Sequence, residues 1–457
     1  MNISFIKQDN NRHLILLMAG WGMDAAPFAT LEFPGYDIAV TWDYTDEYID
    51  AARFSNYREI IVLAWSMGVM EADRVIPGLG LPVSLSVAVN GTTTPVNDLT
   101  GIPEAIFNGT LNGLSDNTLA RFNKRMCGST EAFRRFCGTA PSRSIRSLGE
   151  ELRILGERSL KQTYTQSMHW DFAVIGSRDM IFTAANQTNA WPDTPRIYLD
   201  EPHLPDFQSI INRFIVNKKR VATRFGESRE TYDSSALIQH NVARSLADRL
   251  IAISANRACR YNTAIEIGAG NGRLTAIYAP ALNIKRLELW DLTMPEEACR
   301  HYPEAICIAD DAEARLFEIS DNSIDLIVSA STIQWFNSPC SALRQIERAL
   351  TRGGIAAITL YTTGTYESLA KATGVSINYV SPERIRSSLS SNCDIIYLNT
   401  DCHTAEFENT RQLIEHMRLT GVNAAGSTPT ATLRKILNDN TLIQLEYNST
   451  TIIFQKR

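Results

Sequence analysis

The sequence lacks the features that would place it in a membrane, on nucleic acid or in an oxidising compartment. No apolar run approaches the roughly 20 residues of a membrane helix, and polar residues interrupt the N-terminal stretch where a signal peptide needs an apolar core. The eight cysteines include no C-x-x-C pair, so neither a zinc site nor a disulfide framework is expected. The formal net charge of -6 gives no reason to expect a nucleic-acid partner. We therefore expect a cytoplasmic protein with reduced cysteines, no metal and no membrane partner.

The length of the chain predicts two domains. At 457 residues it exceeds what one hydrophobic core usually fills. The run Ile215–Tyr232 has no sustained apolar period and contains three consecutive basic residues. One series of strand and helix patterns ends before this run, and another begins after it. We predict domains at 1–217 and 218–457, both of α/β class, with a short basic connector ending near Thr223.

The N-terminal half shows continuous apolar runs, as in parallel strands covered by helices on both faces. The predicted strands are His13–Met18, Asp37–Val40, Glu59–Leu63, Pro82–Val89, Phe172–Ile175 and Arg196–Leu199. Between Pro103 and Gln166 the pattern becomes helical and basic, which suits a lid inserted over one end of the sheet.

A candidate nucleophile stands directly after the third of these strands. Ser66 lies between that strand and a predicted helix, as in a nucleophile elbow, whose strained turn exposes the hydroxyl. Small residues two before and two after the serine allow close packing. Here these are Ala64, where a glycine is usual, and Gly68.

The partners of such a serine follow in the order expected for a triad. Asp179 comes just beyond one strand and His203 just beyond the next. His169 and Asp171 compete for the same roles. They precede their strand, however, and should lie at the opposite end of the sheet. We therefore predict catalysis by Ser66, His203 and Asp179.

An oxyanion hole needs two backbone N–H groups near the serine. Met67 follows the nucleophile, and Trp21 lies in the turn after the first predicted strand. We assign the two N–H groups to these residues. The Trp21 indole either lines an acyl pocket or packs in the core.

These motifs resemble those of BioG-type pimeloyl-ACP methyl ester esterases over about the first 215 residues. The matching positions are 19–24, 64–68 and 176–182 with Asn186, Gln187, Trp191 and His203. The resemblance implies an α/β-hydrolase fold and an acyl chain on acyl carrier protein as substrate. Basic lid residues would then suit an acidic carrier, although they also fit a solvated helix face. They are Arg121, Lys124, Arg125, Arg134 and Arg135.

The C-terminal half opens with an amphipathic helix from Tyr232 to about Ser254, and a glycine-rich turn follows a strand. Glycines at 268, 270 and 272 let the backbone pass close to a flat, bulky ligand. Asp291 ends the next strand, about 20 residues later, where a ribose-binding acid belongs. Asp311 follows a third strand and could accept from an adenine amino group.

The remaining strand pattern predicts a class I S-adenosylmethionine methyltransferase. The predicted strands are Thr263–Ile267, Arg286–Trp290, Ala305–Ile308, Ile324–Val328 and Ile355–Leu360. We further predict a terminal hairpin, with strands Leu442–Tyr447 and Thr450–Phe454 joined by an Asn-Ser turn.

The motifs from about Arg224 to the end resemble those of BioC-type malonyl-ACP O-methyltransferases. The matching stretches are Tyr232–Asp233, Gln239, 266–272, 311–313, 333–336 and 362–365. The resemblance implies binding of S-adenosylmethionine, with Tyr232 and Gln239 closing over it. The implied cofactor-binding residues are Tyr232, Gln239, Glu266, Gly268, Gly270, Asp291, Asp311, Ala312 and Ser329.

Together the two resemblances imply a bifunctional enzyme of biotin synthesis. One half would methylate the carboxylate of malonyl-ACP, and the other would hydrolyse pimeloyl-ACP methyl ester to pimeloyl-ACP and methanol. The alternative is a methyltransferase of another carboxylate, fused to a non-catalytic scaffold that binds acyl carrier protein. The small-residue position Ala64 is the motif departure that favours the scaffold.

Overall fold

The computed structural model describes residues 1–161, 168–426 and 428–457. The chain divides into two compact units, Met1–Asn212 (unit 1) and Arg213–Arg457 (unit 2), and each is described by itself. The domain boundary at 217/218 remains a prediction.

Unit 1 is built on a seven-stranded sheet in the order β1-β3-β2-β4-β5-β6-β7. β1 is antiparallel to β3, and the other neighbouring strands are parallel. The strands are β1 (Asn2–Lys7), β2 (His13–Met18), β3 (Tyr36–Trp42), β4 (Glu59–Trp65), β5 (Val83–Val89), β6 (Phe172–Gly176) and β7 (Arg196–Leu199). β4 is buried along its whole length, which explains its continuous apolar sequence. β1 was not predicted.

The helices of unit 1 include four between β5 and β6, where the lid is predicted. The helices are α1 (Gly68–Val75), α2 (Glu104–Asn112), α3 (Asp116–Cys127), α4 (Thr130–Cys137), α5 (Ile145–Lys161), α6 (Ala184–Ala190) and α7 (Phe207–Phe214), the last of which crosses the division between the units. A capping box at Ser115 starts α3, and Gly128, with φ 70°, ends it. Positions 162–166 of the predicted lid lie outside the described residues.

Unit 2 has the class I methyltransferase strand order, as predicted. Its seven-stranded sheet runs β10-β9-β8-β11-β12-β14-β13, with β14 antiparallel to both of its neighbours. The strands are β8 (Tyr261–Ile267), β9 (Ile284–Asp291), β10 (Ile306–Ala309), β11 (Ile324–Ala330), β12 (Leu350–Tyr361), β13 (Cys393–Glu406) and β14 (Gln444–Lys456).

The helices of unit 2 include one where an irregular connector was expected. They are α8 (Lys218–Ser235), α9 (Leu237–Asn256), α10 (Arg273–Tyr278), α11 (Glu296–His301), α12 (Ala312–Leu316), α13 (Pro339–Ala349), α14 (Glu367–Thr373), α15 (Pro382–Ser387), α16 (Thr410–Leu419) and α17 (Thr430–Asp439). Asn217 starts α8 by accepting from the Arg220 backbone N–H, and the basic run 218–220 forms its first turn. Within the described part of the chain, no helix is both long enough and apolar enough to cross a membrane.

The predicted terminal hairpin is wrong. Positions 442–454 do not fold back at Asn448; β14 continues through this point and pairs with β13 along its whole length. Ser449 lies opposite Tyr361 of β12 on one side and Asp401 of β13 on the other. Ladder pairing on both sides satisfies the backbone of this Asn-Ser pair and holds it extended.

Candidate active sites

Ser66 lies in the strained turn that the elbow motif predicts. It follows β4 and precedes α1, and its φ of 59° is in the left-handed region, which is costly for a residue other than glycine. A Cβ on Gly68 would lie 2.3 Å from the Met18 carbonyl oxygen, so this position requires glycine. Ala64 is fully buried within β4, and the turn forms with this residue in place of a glycine.

The structure brings Ser66, His203 and Asp179 into one hydrogen-bonded chain. His203 Nε2 lies 3.0 Å from Ser66 Oγ, and His203 Nδ1 lies 2.8 Å from Asp179 Oδ2. Since an ionised carboxylate can only accept, Nδ1 carries the proton and Nε2 is left to accept from the serine hydroxyl. All three residues are buried, so water screens these interactions weakly.

Asp179 is fixed by donors from its own loop. Its Oδ1 accepts from the backbone N–H groups of Ile181 and Phe182, at 2.7 and 2.9 Å. Its Oδ2 also accepts from Gln187 Nε2 at 3.1 Å. The carboxylate therefore presents one oxygen to the imidazole of His203 in a set direction.

Three groups for which no individual role was predicted hold His203. The Trp65 indole N–H donates to the His203 carbonyl at 2.8 Å, and Asn90 Nδ2 donates to the same oxygen at 3.0 Å. The Phe182 ring stacks on the imidazole, with centroids 5.7 Å apart and planes 9° from parallel. Asn90 follows β5 and precedes a glycine, which is a common turn pattern. This pattern is the one sequence feature that could have drawn attention to Asn90.

A mostly apolar pocket of about 530 Å³, measured to its open mouth, lies beside Ser66. Trp21 and Met67 both line it, which is where backbone donors for an oxyanion would have to be. The Trp21 indole donates to the Leu148 carbonyl at 2.9 Å and packs edge-on against Phe122 of α3. Trp21 therefore both lines the pocket and anchors the α3–α5 region. The apolar lining also includes Ile102, Ile106, Phe107, Leu152 and Ile181.

The five basic residues assigned to carrier binding are exposed on two helices. Arg121, Lys124 and Arg125 lie on α3, and Arg134 and Arg135 lie on α4. Arg125 also lines the pocket beside Ser66. The basic surface and the acyl pocket are thus adjacent.

His169 and Asp171, which competed for the roles of base and acid, lie away from Ser66. Asp171 precedes β6 and accepts from the Ser86 backbone N–H at 3.0 Å. The Ser86 hydroxyl donates to the His169 carbonyl at 2.5 Å. These contacts join β5 to the start of β6, the end opposite Asp179.

Unit 2 contains a second site, a cleft of about 1270 Å³ measured to its open mouth. The turn after β8 forms its floor, and Gly268, Gly270 and Gly272 have φ of 76°, 51° and 78°. A Cβ on Gly268 would lie 1.9 Å from Thr332 Oγ1. Only glycine fits the first of these positions, because Thr332 fills the space that a Cβ would take. At Gly270 a Cβ would meet nothing within 4 Å, so the turn is open there.

Two predicted acids line this cleft at the ends of successive strands. Asp291 Oδ2 accepts from the Gly270 N–H at 3.0 Å, and its Oδ1 accepts from the Thr293 N–H at 2.9 Å. Asp311 caps α12 by accepting from the Glu313 N–H at 3.0 Å. Each carboxylate is oriented by backbone donors and keeps acceptor capacity for a ligand.

Lys218, in the first turn of α8, pairs with Asp311 and Glu313, and this contact was not predicted. Its Nζ lies 3.1 Å from Asp311 Oδ1 and 2.8 Å from Glu313 Oε2. It also lies 4.9 Å from the centroid of the Phe336 ring. One ammonium group thus pairs with two carboxylates at the wall of the cleft.

Most of the other predicted cofactor residues also line the cleft, namely Tyr232, Gln239, Glu266 and Ala312. Burial raises the pKa of Glu266 to about 7, against hydrogen bonds from Thr275 and Tyr278 that lower it. Ser329 does not line the cleft. It is fully buried in β11, and its hydroxyl donates to the Ile267 carbonyl at 2.9 Å. Ser331 and Thr332, just beyond that strand, do line it.

The cleft fits S-adenosylmethionine. Gly268 and Gly270 form the floor, and Asp291 offers acceptors suited to a ribose diol. Asp311 and Ala312 offer an acceptor and a backbone donor for an adenine edge. The buried atom Glu266 Oε1 has no hydrogen-bond partner among the described residues. Such orphaned polar atoms are expected where a polar ligand binds.

Comparison with known protein families identifies both halves. Residues 1–206 match the family described as pimeloyl-ACP methyl esterase BioG, and residues 265–358 match a methyltransferase domain. A malonyl-[acyl-carrier protein] O-methyltransferase of Bacteroides fragilis is 33% identical over 425 residues, covering 90% of this chain and 84% of the relative.

Two further relatives each match one half of the chain. A malonyl-[acyl-carrier protein] O-methyltransferase of Chlorobium phaeovibrioides is 29% identical over 46% of this chain and 83% of its own length. The crystal structure of BioG from Haemophilus influenzae is 36% identical, covers 44% of this chain and 94% of its own, and has a TM-score of 0.42.

Proposed function

Because the chain belongs to the malonyl-[acyl-carrier protein] O-methyltransferase family and carries a BioG domain at its N-terminus, we propose that it is a bifunctional enzyme of biotin synthesis. Unit 2 methylates the free carboxylate of malonyl-ACP with S-adenosylmethionine. Unit 1 hydrolyses the pimeloyl-ACP methyl ester to pimeloyl-ACP and methanol. Both reactions take place in the cytoplasm, and no step is assigned to a metal, a membrane or nucleic acid.

The observation that supports hydrolysis in unit 1 is the connected chain Ser66–His203–Asp179. Two further features are the mostly parallel sheet and the helices inserted after β5 as a lid. Together with the triad they favour a catalytic α/β-hydrolase rather than a non-catalytic scaffold. Ala64 does not weaken this, because the left-handed turn at Ser66 forms with it.

In this proposal each group of the triad has one task. Ser66 Oγ attacks the ester carbonyl carbon while His203 Nε2 accepts its proton, and Asp179 holds the resulting imidazolium. The Trp21 and Met67 N–H groups stabilise the oxyanion. His203 then returns the proton to the departing methoxide, which leaves as methanol. Water activated by His203 cleaves the acyl-serine and releases the carboxylate.

The exposed basic residues of α3 and α4 provide the docking surface for the carrier in this proposal. Arg121, Lys124, Arg134 and Arg135 would attract an acidic protein, and Arg125 would lie where the acyl chain leaves the pocket. The carrier would then hold its chain pointing at Ser66.

We expect the esterase to prefer the long ester over the methyl ester of malonyl-ACP. The pocket beside Ser66 is lined mainly by apolar side chains, and the pimeloyl chain has four more methylenes to bury. At about 0.8 kcal/mol per methylene, kcat/KM should favour it by roughly 100-fold. This preference would keep unit 1 from undoing the product of unit 2.

Initial rates on the two carrier-bound methyl esters, with the same carrier preparation, measure this preference. A small activated ester serves as the control, since it reports an intact triad and does not fill the pocket. Equal kcat/KM on both carrier esters would show that the pocket does not select by length.

The second proposed site holds the methyl donor. Gly268, Gly270, Asp291 and Asp311 line the cleft as a floor and two oriented acceptors, with Tyr232 and Gln239 of α8 and α9 on its side. When bound, S-adenosylmethionine supplies an electrophilic methyl group, whose transfer to a carboxylate gives a methyl ester and S-adenosylhomocysteine. The acceptor is already ionised at neutral pH, so holding it in line is the main task of the protein.

Lys218→Met should weaken cofactor binding. It would leave Asp311 and Glu313 as neighbouring buried carboxylates without their ammonium partner, which costs about 3 kcal/mol in comparable buried pairs. We expect a lower melting temperature for unit 2 and an S-adenosylmethionine dissociation constant raised at least about tenfold, measured by calorimetry.

Lys219→Met is the matched control, because Lys219 is exposed on the same turn of α8. It should bind the cofactor like the wild type. Equal affinities for the Lys218 and Lys219 variants would show that Lys218 has no part in shaping the cleft.

A further inference from the structure

A buried cluster of tyrosines lies beside the methyl-donor cleft of unit 2. This tyrosine cluster consists of Tyr361, Tyr366, Tyr379 and Tyr447. The ring centroid of Tyr447 lies 5.7 Å from that of Tyr361 and 5.0 Å from that of Tyr366, and Tyr366 lies 6.5 Å from Tyr379. Aromatic packing accounts for the rings. It does not account for the hydroxyls.

Two of these hydroxyls are buried donors without a partner. Tyr361 is 4% exposed and Tyr366 is 7% exposed. The Tyr361 hydroxyl faces Ser331 and the Tyr366 hydroxyl faces Tyr447, but neither is in hydrogen-bond geometry with a described residue. The same holds for Ser331 Oγ and for Gln239 Nε2, whose residue is 5% exposed. Buried polar groups are nearly always paired, so four unpaired donors in one region indicate a ligand.

These donors converge where the tyrosine cluster meets the cleft. Ser331 and Gln239 line the cleft, and the Tyr361 hydroxyl is a close neighbour of the Ser331 hydroxyl. On the other side, the Tyr447 hydroxyl neighbours both Gln239 and Tyr366. Tyr361 and Ser331 stand at the carboxyl ends of the adjacent parallel strands β12 and β11, the edge at which such sheets bind ligands.

The hydroxyls remain protonated at neutral pH. Burial raises the pKa of Tyr361 and of Tyr366 well above the usual tyrosine value. Tyr447 is bonded to His416 Nε2 at 3.0 Å, and burial lowers the pKa of that imidazole. The donors facing the cleft are therefore neutral.

Neutral donors suit a carboxylate that must act as a nucleophile. A lysine or arginine would hold the anion more tightly before transfer, and binding that is stronger in the ground state than in the transition state slows the reaction. Three hydroxyls and an amide can orient the carboxylate and let its charge fall as the new C–O bond forms.

We propose that Tyr361 and Tyr366, with Ser331 and the Gln239 amide, bind the acceptor carboxylate of the malonyl thioester. This inference rests on the proposed methyl transfer to a carboxylate and names the groups that hold it. The ligand class is a short acyl thioester with a free terminal carboxylate.

The test uses full-length Tyr361→Phe and Tyr366→Phe and measures binding without turnover. Affinity for malonyl-ACP is measured by calorimetry in the presence of S-adenosylhomocysteine, which cannot donate a methyl group. Each variant should bind malonyl-ACP about ten- to a hundredfold more weakly, as expected for a lost hydrogen bond to an ion. Affinity for acetyl-ACP, which has no carboxylate, should be unchanged, and so should affinity for S-adenosylmethionine.

The matched control is Tyr261→Phe, because Tyr261 is equally buried in unit 2 and its hydroxyl is paired with Ser254 at 2.7 Å. That change should lower the melting temperature and leave malonyl-ACP affinity unchanged. The two cluster variants should keep or raise the melting temperature, since their hydroxyls make no hydrogen bond of good geometry within the described residues.

Unchanged malonyl-ACP affinity in both cluster variants would overturn the proposal. A fall in their melting temperature with equal losses for malonyl-ACP and acetyl-ACP would also overturn it, because the hydroxyls would then be structural. Wild-type protein that fails to methylate malonyl-ACP would contradict the proposed function itself, and the inference with it.

Discussion

Replacing Ser66 with Ala is expected to reduce hydrolysis of the carrier-bound methyl ester by at least about 10⁴-fold. The variant loses the nucleophile, and the remaining hydrogen-bond donors cannot form an acyl intermediate. Methyl transfer should stay within about twofold of the wild-type rate, because the described cofactor cleft is formed wholly by residues of unit 2. Steady-state rates of both reactions on one preparation measure the two effects.

A serine-directed phosphonate gives an independent control for this variant. It should label the wild type at Ser66 and leave the Ala variant unlabelled. Strong residual hydrolysis in the variant would mean that another group attacks the ester. Loss of methyl transfer as well would mean that the two activities depend on each other.

Gly268→Ala should have the opposite selectivity, abolishing methyl transfer and leaving hydrolysis intact. The new Cβ would lie 1.9 Å from Thr332 Oγ1, and the backbone at φ 76° is strained for alanine. The turn or Thr332 must move, and either shift changes the floor of the cleft. We expect the dissociation constant for S-adenosylmethionine, measured by calorimetry, to rise at least about 100-fold.

Gly374→Ala separates the contact from the strain. Gly374 has a similar φ of 72°, and a Cβ there would meet nothing within 4 Å. It should lose a little stability and bind the cofactor normally. If both alanine variants bind S-adenosylmethionine alike, the close approach to Thr332 does not shape the cleft.

Local signals account for what could be predicted. A strand that runs directly into Ser66, and acids that follow strands in order, are properties of short stretches of chain. Parallel topology then places those strand ends at one edge of a sheet, so Asp179 and His203 could be assigned before any distance was known.

The failures come from contacts between distant parts of the chain. Lys218 reads as part of a basic connector, and its partners Asp311 and Glu313 lie 93 and 95 residues away. Asn448–Ser449 has the residue types of a turn, but pairing with β13 holds it extended. β13 is mostly half-buried and has little apolar pattern, so this partner strand was not predicted. Tertiary pairing overrides local preference at such positions.

The tyrosine cluster shows the same limit of local patterns. Tyr361 and Tyr366 flank a turn, and Tyr447 comes much later, so no spacing rule joins them. Only the folded sheet brings them beside Ser331 and the cleft. The proposed role of the two hydroxyls therefore rests on the folded structure, in which both are buried without a hydrogen-bond partner among the described residues.

The two proposed activities explain each other chemically. A free carboxylate on a growing acyl chain is costly to bury in apolar pockets. Methylation removes that charge, and hydrolysis restores it once the chain is long enough. One polypeptide would then both add the methyl group before chain elongation and remove it afterwards.

The most direct test of this account is the mass of acyl carrier protein after incubation with the wild-type enzyme. Malonyl-ACP with S-adenosylmethionine should gain one methyl group, and pimeloyl-ACP methyl ester, without a methyl donor, should lose one. Both mass changes with a single purified chain are the predicted result. A carrier whose mass stays unchanged in either reaction would contradict the claim that this chain carries both activities.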